Sequence, residues 1–370
     1  SSPSLDRRSF LRKGALVGAT ATAACYLPGC GSSAEQVGLQ KVNIHAPDES
    51  FINVKDAPYN AQGDGSTNDY HAFMLAIDVA CSSSVNIWIP PGTYIINMGL
   101  YLATASSTVS LLGAGVGKTI IKAVASTTPL DTMLQIHGQD HFAVQGLTLD
   151  ADGAAKACLG LSGGSSEFAI RDIETLDATE HNIYTVDAHR FKIDRVVSKQ
   201  SPTQGLSTLS LNNTTNATIS GSAFGPTSGI GVQLGPQGNA NTKLSQNTFK
   251  ECAKAAIFSQ ANATGLSITD SRFEDNATGG YTFANLINVV KADVILNGDP
   301  ATNDIGGSGS SCNQGVRCEG NIHKASPNVA AYLLAAARGV VIRGCRLENS
   351  QVSNASLLRV YSSNACAVEG

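Results

Sequence analysis

Along most of the chain, apolar residues alternate with polar ones in short runs, the period of a strand with one buried face, and helical spacing is confined to one segment near residues 72–80. The alternation recurs as a phrase: apolar, any, apolar, any, then Gly, Asp or another polar residue, then a further apolar position. Copies read FAVQGLTL, FAIRDIETL, FKIDRVV, ATISGSAF, TKLSQNTF, LSITDSRF, VVIRGCRL and, at the end, CAVEG. The second apolar residue of each copy is Val144, Ile170, Ile193, Ile219, Leu244, Ile268, Ile342 and Val368, a period of about 25 residues. The wide interval between Ile268 and Ile342 reads as three periods, with weaker copies around Ile295 and at Cys318.

One such phrase cannot bury its apolar face alone, so copies must stack. We therefore expect an all-β chain folded as a right-handed parallel β-helix, a solenoid of about ten coils, each laying down three short strands. A sandwich of hairpins would instead show tight-turn signals every ~8–12 residues. Asn212, Asn213, Asn216, Asn247, Asn262 and Asn276 fall at turns or form side-chain ladders.

The segment LLGAGVGKTII superficially suggests a phosphate loop, but residue 112 is Leu where a Walker loop needs Gly, and residue 118 is Lys where the dinucleotide fingerprint needs Gly. It reads instead as an early copy of the phrase, with Leu111 inward, Gly113 and Gly115 at the turn and Lys118 in solvent. We expect no nucleotide partner. A net charge of −4 gives no electrostatic footprint for nucleic acid either.

The start of the chain, SLDRRSFLRKGALVGATATAACYLPGC, resembles a twin-arginine export signal, with Arg7 and Arg8 as the pair. Residues 1–30 are read as that signal, 31–48 as a linker and 49–370 as one β-helix domain, exported to the periplasm, cell surface or medium. LPGC resembles a lipoprotein processing box with Cys30 lipidated, and the competing reading is simple cleavage after Ala21-Thr22-Ala23. A lipid on Cys30 is the one membrane attachment expected; oligomeric state is not legible. The repeat stops in mid-phrase at Val368, so we expect a further C-terminal part. Export permits disulfides, and Cys312 with Cys318 are the pair spaced for a small loop; the other cysteines read as small buried hydrophobes.

Before the repeats lies INVKDAPYNAQGDGSTNDYHAFMLAIDVACSSSVNIWIPPGTYII. Val54, Asp56, Gly63-Asp64-Gly65, Thr67, Asp69, the helical stretch Ala72 to Ala80 and Pro91-Gly92-Thr93-Tyr94 resemble the N-terminal motif of the pectate-lyase-like superfamily, in its rhamnogalacturonase and epimerase-like branch. Pro58-Tyr59-Asn60 departs from the family pattern. The resemblance implies a short capping helix over the open end of the solenoid, N-capped by Asp69. It also implies action on polysaccharides, often acidic ones. The polygalacturonase set and the Asp-Pro-His-Asp signature of alginate epimerases are both absent.

Chemistry must then come from position within the coil. Six or seven residues past the reference apolar residue, adjacent coils place Asp150, Asp177 and Lys199, with Asp152 and His181 nearby. Asp150, Asp152, Asp177, His181 and Lys199 are the candidate catalytic set, offering paired carboxylates for hydrolysis or a base and a cation for elimination. Tyr184, His189 and Arg190 are candidate sugar contacts, and Trp88 reads as core. No cofactor is required, although a lyase would accommodate Ca2+. The expected function is an exported polysaccharide lyase or glycoside hydrolase; the alternative is a non-catalytic adhesin or glycan-binding lipoprotein.

Overall fold

The computed structural model describes residues 51–103, 108–124, 129–200, 205–260, 263–283, 289–297, 312–324, 326–335, 337–348, 354–360, 363–364 and 367–369. The export signal, Cys30, the linker and Asn262 lie outside these residues.

The described chain is a parallel β-helix of about ten coils. Three long sheets of 12, 11 and 10 strands, here A, B and C, run its length, and a fourth, D, of six short strands closes the corner between C and A. One coil shows the order: Ala143–Gln145 in A, Thr148–Asp150 in B, Ala155–Ser162 in C, then Ala169–Arg171 in A again.

The phrase found in the sequence is the sheet A strand. Leu111, Val144, Ile170, Ile193, Ile219, Leu244, Ile268, Cys318, Ile342 and Val368 are direct neighbours from coil to coil. Side chains two apart point to one face, so equal spacing puts this whole column on one side, and its members from Leu111 to Ile342 are buried. Ile295 departs from the expectation. It lies in sheet C, opposite Phe258 and Leu333, so the interval from Ile268 to Cys318 is a single long coil. The extra chain folds back: Tyr281 pairs antiparallel with Val290, and Tyr281, Phe283 and Val290 pack over the outer face of Phe258, Ile295 and Leu333. This explains why Ala292–Leu296 and Ala330–Leu334 are buried on both faces.

Inside the solenoid aromatic rings stack from coil to coil. Phe142, Phe168 and Phe191 form one pile with ring centroids 4.9 and 4.7 Å apart. Phe224, Phe249, Phe273 and His323 form another at 5.4, 5.0 and 4.3 Å. Buried asparagines bridge successive coils at two of the turns, Asn247 between sheets A and B and Asn276 at the corner after sheet B. Asn247 accepts from the Ser222 amide and donates to the Ile219 carbonyl, and Asn276 does the same for Cys252 and Phe249. Each satisfies backbone groups that a turn would otherwise leave unpaired.

The capping helix spans Tyr70–Ser83 and buries Phe73, Ala76, Ile77 and Ala80 against the first strands. It occupies the place of a sheet C strand in the first coil, so the edge strand Leu100–Ala103 meets a helix that offers no free edge to a further strand. Asp69 stands at the N-cap position, but its carboxylate does not cap the helix. It accepts instead from the amides of Gln62 and Gly63, at 2.6 and 3.0 Å, tying down the loop before the helix. Trp88 also differs from expectation: lying between buried Ile87 and Ile89, it faces outward and is only half-buried. Cys312 and Cys318 are both free, and Cys318 is a member of the sheet A core column.

In LLGAGVGKTII, a Cβ on Gly113 would sit 2.2 Å from the Gly146 carbonyl oxygen. Glycine serves there for close approach of two coils rather than for a ligand.

Candidate functional site

The outer face of sheet C carries a groove of about 420 Å³ between the strands Leu130–His137 and Ile230–Leu234. Its shape comes from a bend shared by successive coils. Met133 with Leu134, Cys158 with Leu159, and Asn182 with Ile183 are consecutive residues that are all buried. Two inward residues in a row put positions three apart on the same outer face, which strict alternation forbids. One outer column is therefore Thr132, Ala157, His181 and Ser207, and the next is Tyr101, Gln135, Gly160, Tyr184, Ser210 and Gln233.

Gly160 and Ala157 make the low middle of this surface. A Cβ on Gly160 would meet Gln135 Oε1 at 2.4 Å and the Tyr184 Cζ and Oη at 2.6 Å, so the tyrosine ring lies across the glycine. Its hydroxyl donates to Gln135 Oε1 at 2.5 Å and stands 3.2 Å from the Thr132 hydroxyl. With its single proton given to Gln135, Tyr184 accepts from Thr132. Gln135 is held in turn by donating to Ser162 Oγ at 2.9 Å.

His181 is half-buried, with Nδ1 2.8 Å from Ser207 Oγ. Removal from water pushes its pKa below the ordinary imidazole value, opposed by the neighbouring Glu180 charge. The ring is thus a neutral base at neutral pH. At the groove rim, Lys156 is opposite Asp131 and donates to it at 2.8 Å. That hydrogen bond raises the lysine pKa and keeps it a cation.

The five residues of the candidate catalytic set do not form one cluster. Asp150 and Asp152 both hold Lys122, at 3.3 and 2.9 Å, on sheet B and the corner after it. Lys199 pairs with Glu174 at 3.2 Å, also on sheet B. Asp177 sits at the corner between sheets B and C with a positive φ of 54°, level with the equally strained Asp152. Only His181 of the five lines the groove, together with Tyr184 of the sugar-contact set from the same strand. His189 and Arg190 lie at the corner between sheets C and A. His189 Nδ1 is 2.9 Å from Thr215 Oγ1, and Arg190 donates to Glu167 at 3.0 Å and to Ser166 at 3.2 Å. The reason is offset: six or seven residues past the reference position is the end of sheet B, whereas the groove lies about fourteen past it. Thr132, Gln135, Lys156 and Gln233 were missed on that account. The signal is a shared spacing of three: Thr132 with Gln135, Ala157 with Gly160 and His181 with Tyr184 occupy the same two columns of successive coils.

Among the described residues, no three His, Cys, Asp or Glu side chains converge to hold a metal ion. Asp150 and Asp152 already neutralise Lys122, and in the groove Asp131 is paired with Lys156. The described side chains therefore offer calcium no such set. A buried pair, His323 Nδ1 with Asp293 Oδ2 at 2.7 Å, lies inside the solenoid, remote from solvent. No helix among the described residues is long and apolar enough to cross a membrane.

A model of the family described as rhamnogalacturonase A/epimerase, pectate lyase-like, matches residues 51–282. The pre-neck appendage protein of Bacillus phage phi29 is 33% identical over 141 residues, which is 34% of this chain and 16% of that protein. Mannuronan C5-epimerase AlgE3 of Azotobacter vinelandii is 30% identical over 162 residues, 40% of this chain and 9% of the epimerase. The chain thus matches only a small part of the length of these relatives. Among solved structures, the Azotobacter vinelandii mannuronan C-5 epimerase AlgE6 A-module superposes with a TM-score of 0.50 at 19% identity, covering 85% of this chain and 99% of that one. PfbA, a surface adhesin of Streptococcus pneumoniae, gives 0.54 at 15% identity over 86% of this chain and 91% of that one. At these identities the structural likeness concerns the fold.

Proposed function

The chain belongs to the rhamnogalacturonase A/epimerase, pectate lyase-like family, and from that premise we propose that it is an exported carbohydrate-active protein that cleaves a uronate-bearing polysaccharide by β-elimination in the sheet C groove. The observation that carries the reading is the pair His181 and Tyr184 on one outer face, the imidazole neutral and the phenol pre-positioned by Gln135 and Thr132.

In this mechanism the glycan lies along the stacked coils, and Lys156, turning from Asp131, binds the uronate carboxylate. His181 takes the proton on the carbon next to that carboxylate, where charge develops. Tyr184 turns its proton from Gln135 to the glycosidic oxygen as the carbon–oxygen bond breaks and a carbon–carbon double bond forms. His181 ends protonated and Tyr184 ends as the phenolate, and solvent restores both. The exposed carboxylates Asp131 and Glu180 are a poorer pair for hydrolysis, because neither is shielded from water in the way that keeps a catalytic acid protonated.

The reading of a non-catalytic, glycan-binding surface protein is favoured by one observation: the groove presents a single aromatic residue, Tyr184. A screen of the purified protein on uronate and neutral polysaccharides separates the two. Ultraviolet absorbance of unsaturated product supports elimination, new reducing ends without that absorbance point to hydrolysis, and retained binding without either product sinks the enzymatic reading.

A further inference from the structure

Upstream of the groove, sheet C carries a second cluster that the chemistry above does not use. Tyr101 is 49% exposed and occupies the same outer column as Gln135, Gly160 and Tyr184. Its ring is stacked beside His137, with centroids 6.5 Å apart and planes 26° from parallel. His137 is itself placed: Nδ1 lies 3.0 Å from Ser162 Oγ, and its ring covers Gly163, where an added Cβ would come within 2.4 Å of it. Ser162 also accepts from Gln135, so one continuous path runs from Tyr184 through Gln135 and Ser162 to His137 and Tyr101.

We propose that Tyr101 and His137 form a distal sugar-binding subsite that extends the sheet C groove and selects for longer glycan chains. The face is amphipathic in the way a pyranose requires. Two rings give an apolar platform for axial C–H groups, while His137 Nε2 and the tyrosine hydroxyl meet the sugar hydroxyls at its rim. Three coil spacings separate Tyr101 from Tyr184, about 14 Å at ~4.8 Å each, so a ligand must be roughly three to four sugar units long to touch both. At the other end the column turns apolar under the covering segment at Phe258, which leaves the Tyr101 side as the open direction for an extended chain. The inference rests on the groove being the glycan site.

The test is a length series, dimer to octamer, of oligomannuronate, oligogalacturonate and neutral cello-oligosaccharides, titrated calorimetrically into wild type, Tyr101→Ala and His137→Ala. Tyr101 is solvent-exposed, and a matching thermal melt confirms that its variant is folded. The expected result is affinity lost by about three- to tenfold for hexamer and octamer, with the dimer unchanged. Equal affinity of wild type and Tyr101→Ala at every length overturns the subsite alone, as does a loss equal for dimer and octamer. Failure of wild type to bind any member of the three series overturns the groove reading itself.

Discussion

Replacing Gly160 by alanine isolates the placement of Tyr184 from its chemistry. The new methyl would lie 2.4 Å from Gln135 Oε1 and 2.6 Å from Tyr184 Cζ and Oη, all at the ends of side chains that are free to move. Gly160 does not have a positive φ, so the backbone accepts alanine without strain. The tyrosine must lift off the sheet, losing its 2.5 Å hydrogen bond to Gln135. That loss costs about 0.5–1.5 kcal/mol, while alanine's narrower unfolded ensemble returns about 0.4–1 kcal/mol. The two nearly cancel, and the melting temperature should stay within a few degrees, since about 1 kcal/mol moves a large domain by only ~2–4 °C. Turnover should behave differently. A displaced general acid costs about 10²- to 10⁴-fold, or ~3–5 kcal/mol of barrier. The assay is the initial rate of absorbance from unsaturated product, beside thermal unfolding of the same samples. Tyr184→Phe should lose as much, and the double variant should lose no more than either single one. If Gly160→Ala is stable and turns over within about threefold of wild type, Tyr184 is not the proton donor and the reasoning fails.

Other expectations follow from the same geometry. The His181 pKa is depressed on folding, so its contribution to stability is present above the ordinary imidazole value and lost as pH falls through the depressed one; His181→Asn should flatten that part of a denaturation-versus-pH curve, and an unchanged slope would reject the burial argument. Lys199→Ala removes an exposed pair with Glu174 and should change stability by less than about 1 kcal/mol with turnover intact; a dead enzyme would return Lys199 to the catalytic set. Gly113→Ala drives a methyl into the fixed Gly146 carbonyl and should cost about 1–3 kcal/mol by overpacking. Gly117→Ala has open space around its Cβ and carries only the strain of a φ of 70°, so chemical denaturation should show it as the milder change.

The sheet A column was legible in the sequence because its spacing is nearly constant from Val144 to Ile268 and each member from Leu111 to Ile342 is buried by the coils above and below, so one local rule acts at these copies. The same rule failed at Ile295. A strand buried on both faces under a covering segment looks like any apolar run, and which sheet it joins depends on the length of chain before it. Asp69 precedes a helix and so reads as its cap, yet the nearer donors are the amides of Gln62 and Gly63, brought close by a loop that sequence does not draw.

The repeat by itself determined that the chain stacks into a parallel β-helix, because a 25-residue period of half-buried strands has no other way to cover its apolar face. It also determined that LLGAGVGKTII is an early copy of the phrase rather than a phosphate loop, whereas the close approach of the Gly146 carbonyl that holds position 113 to glycine came from the stacked coils. Only the tertiary structure decided where chemistry can sit. Outward side chains are chosen by the bend that turns Asn182 and Ile183 inward together, and that bend puts His181 beside Tyr184 while leaving Asp150, Asp152 and Lys199 on another sheet. Burial is a repeated local property that composition records. The meeting of side chains from separate coils depends on register and on a missing Cβ at Gly160, which become visible when the coils are laid upon one another.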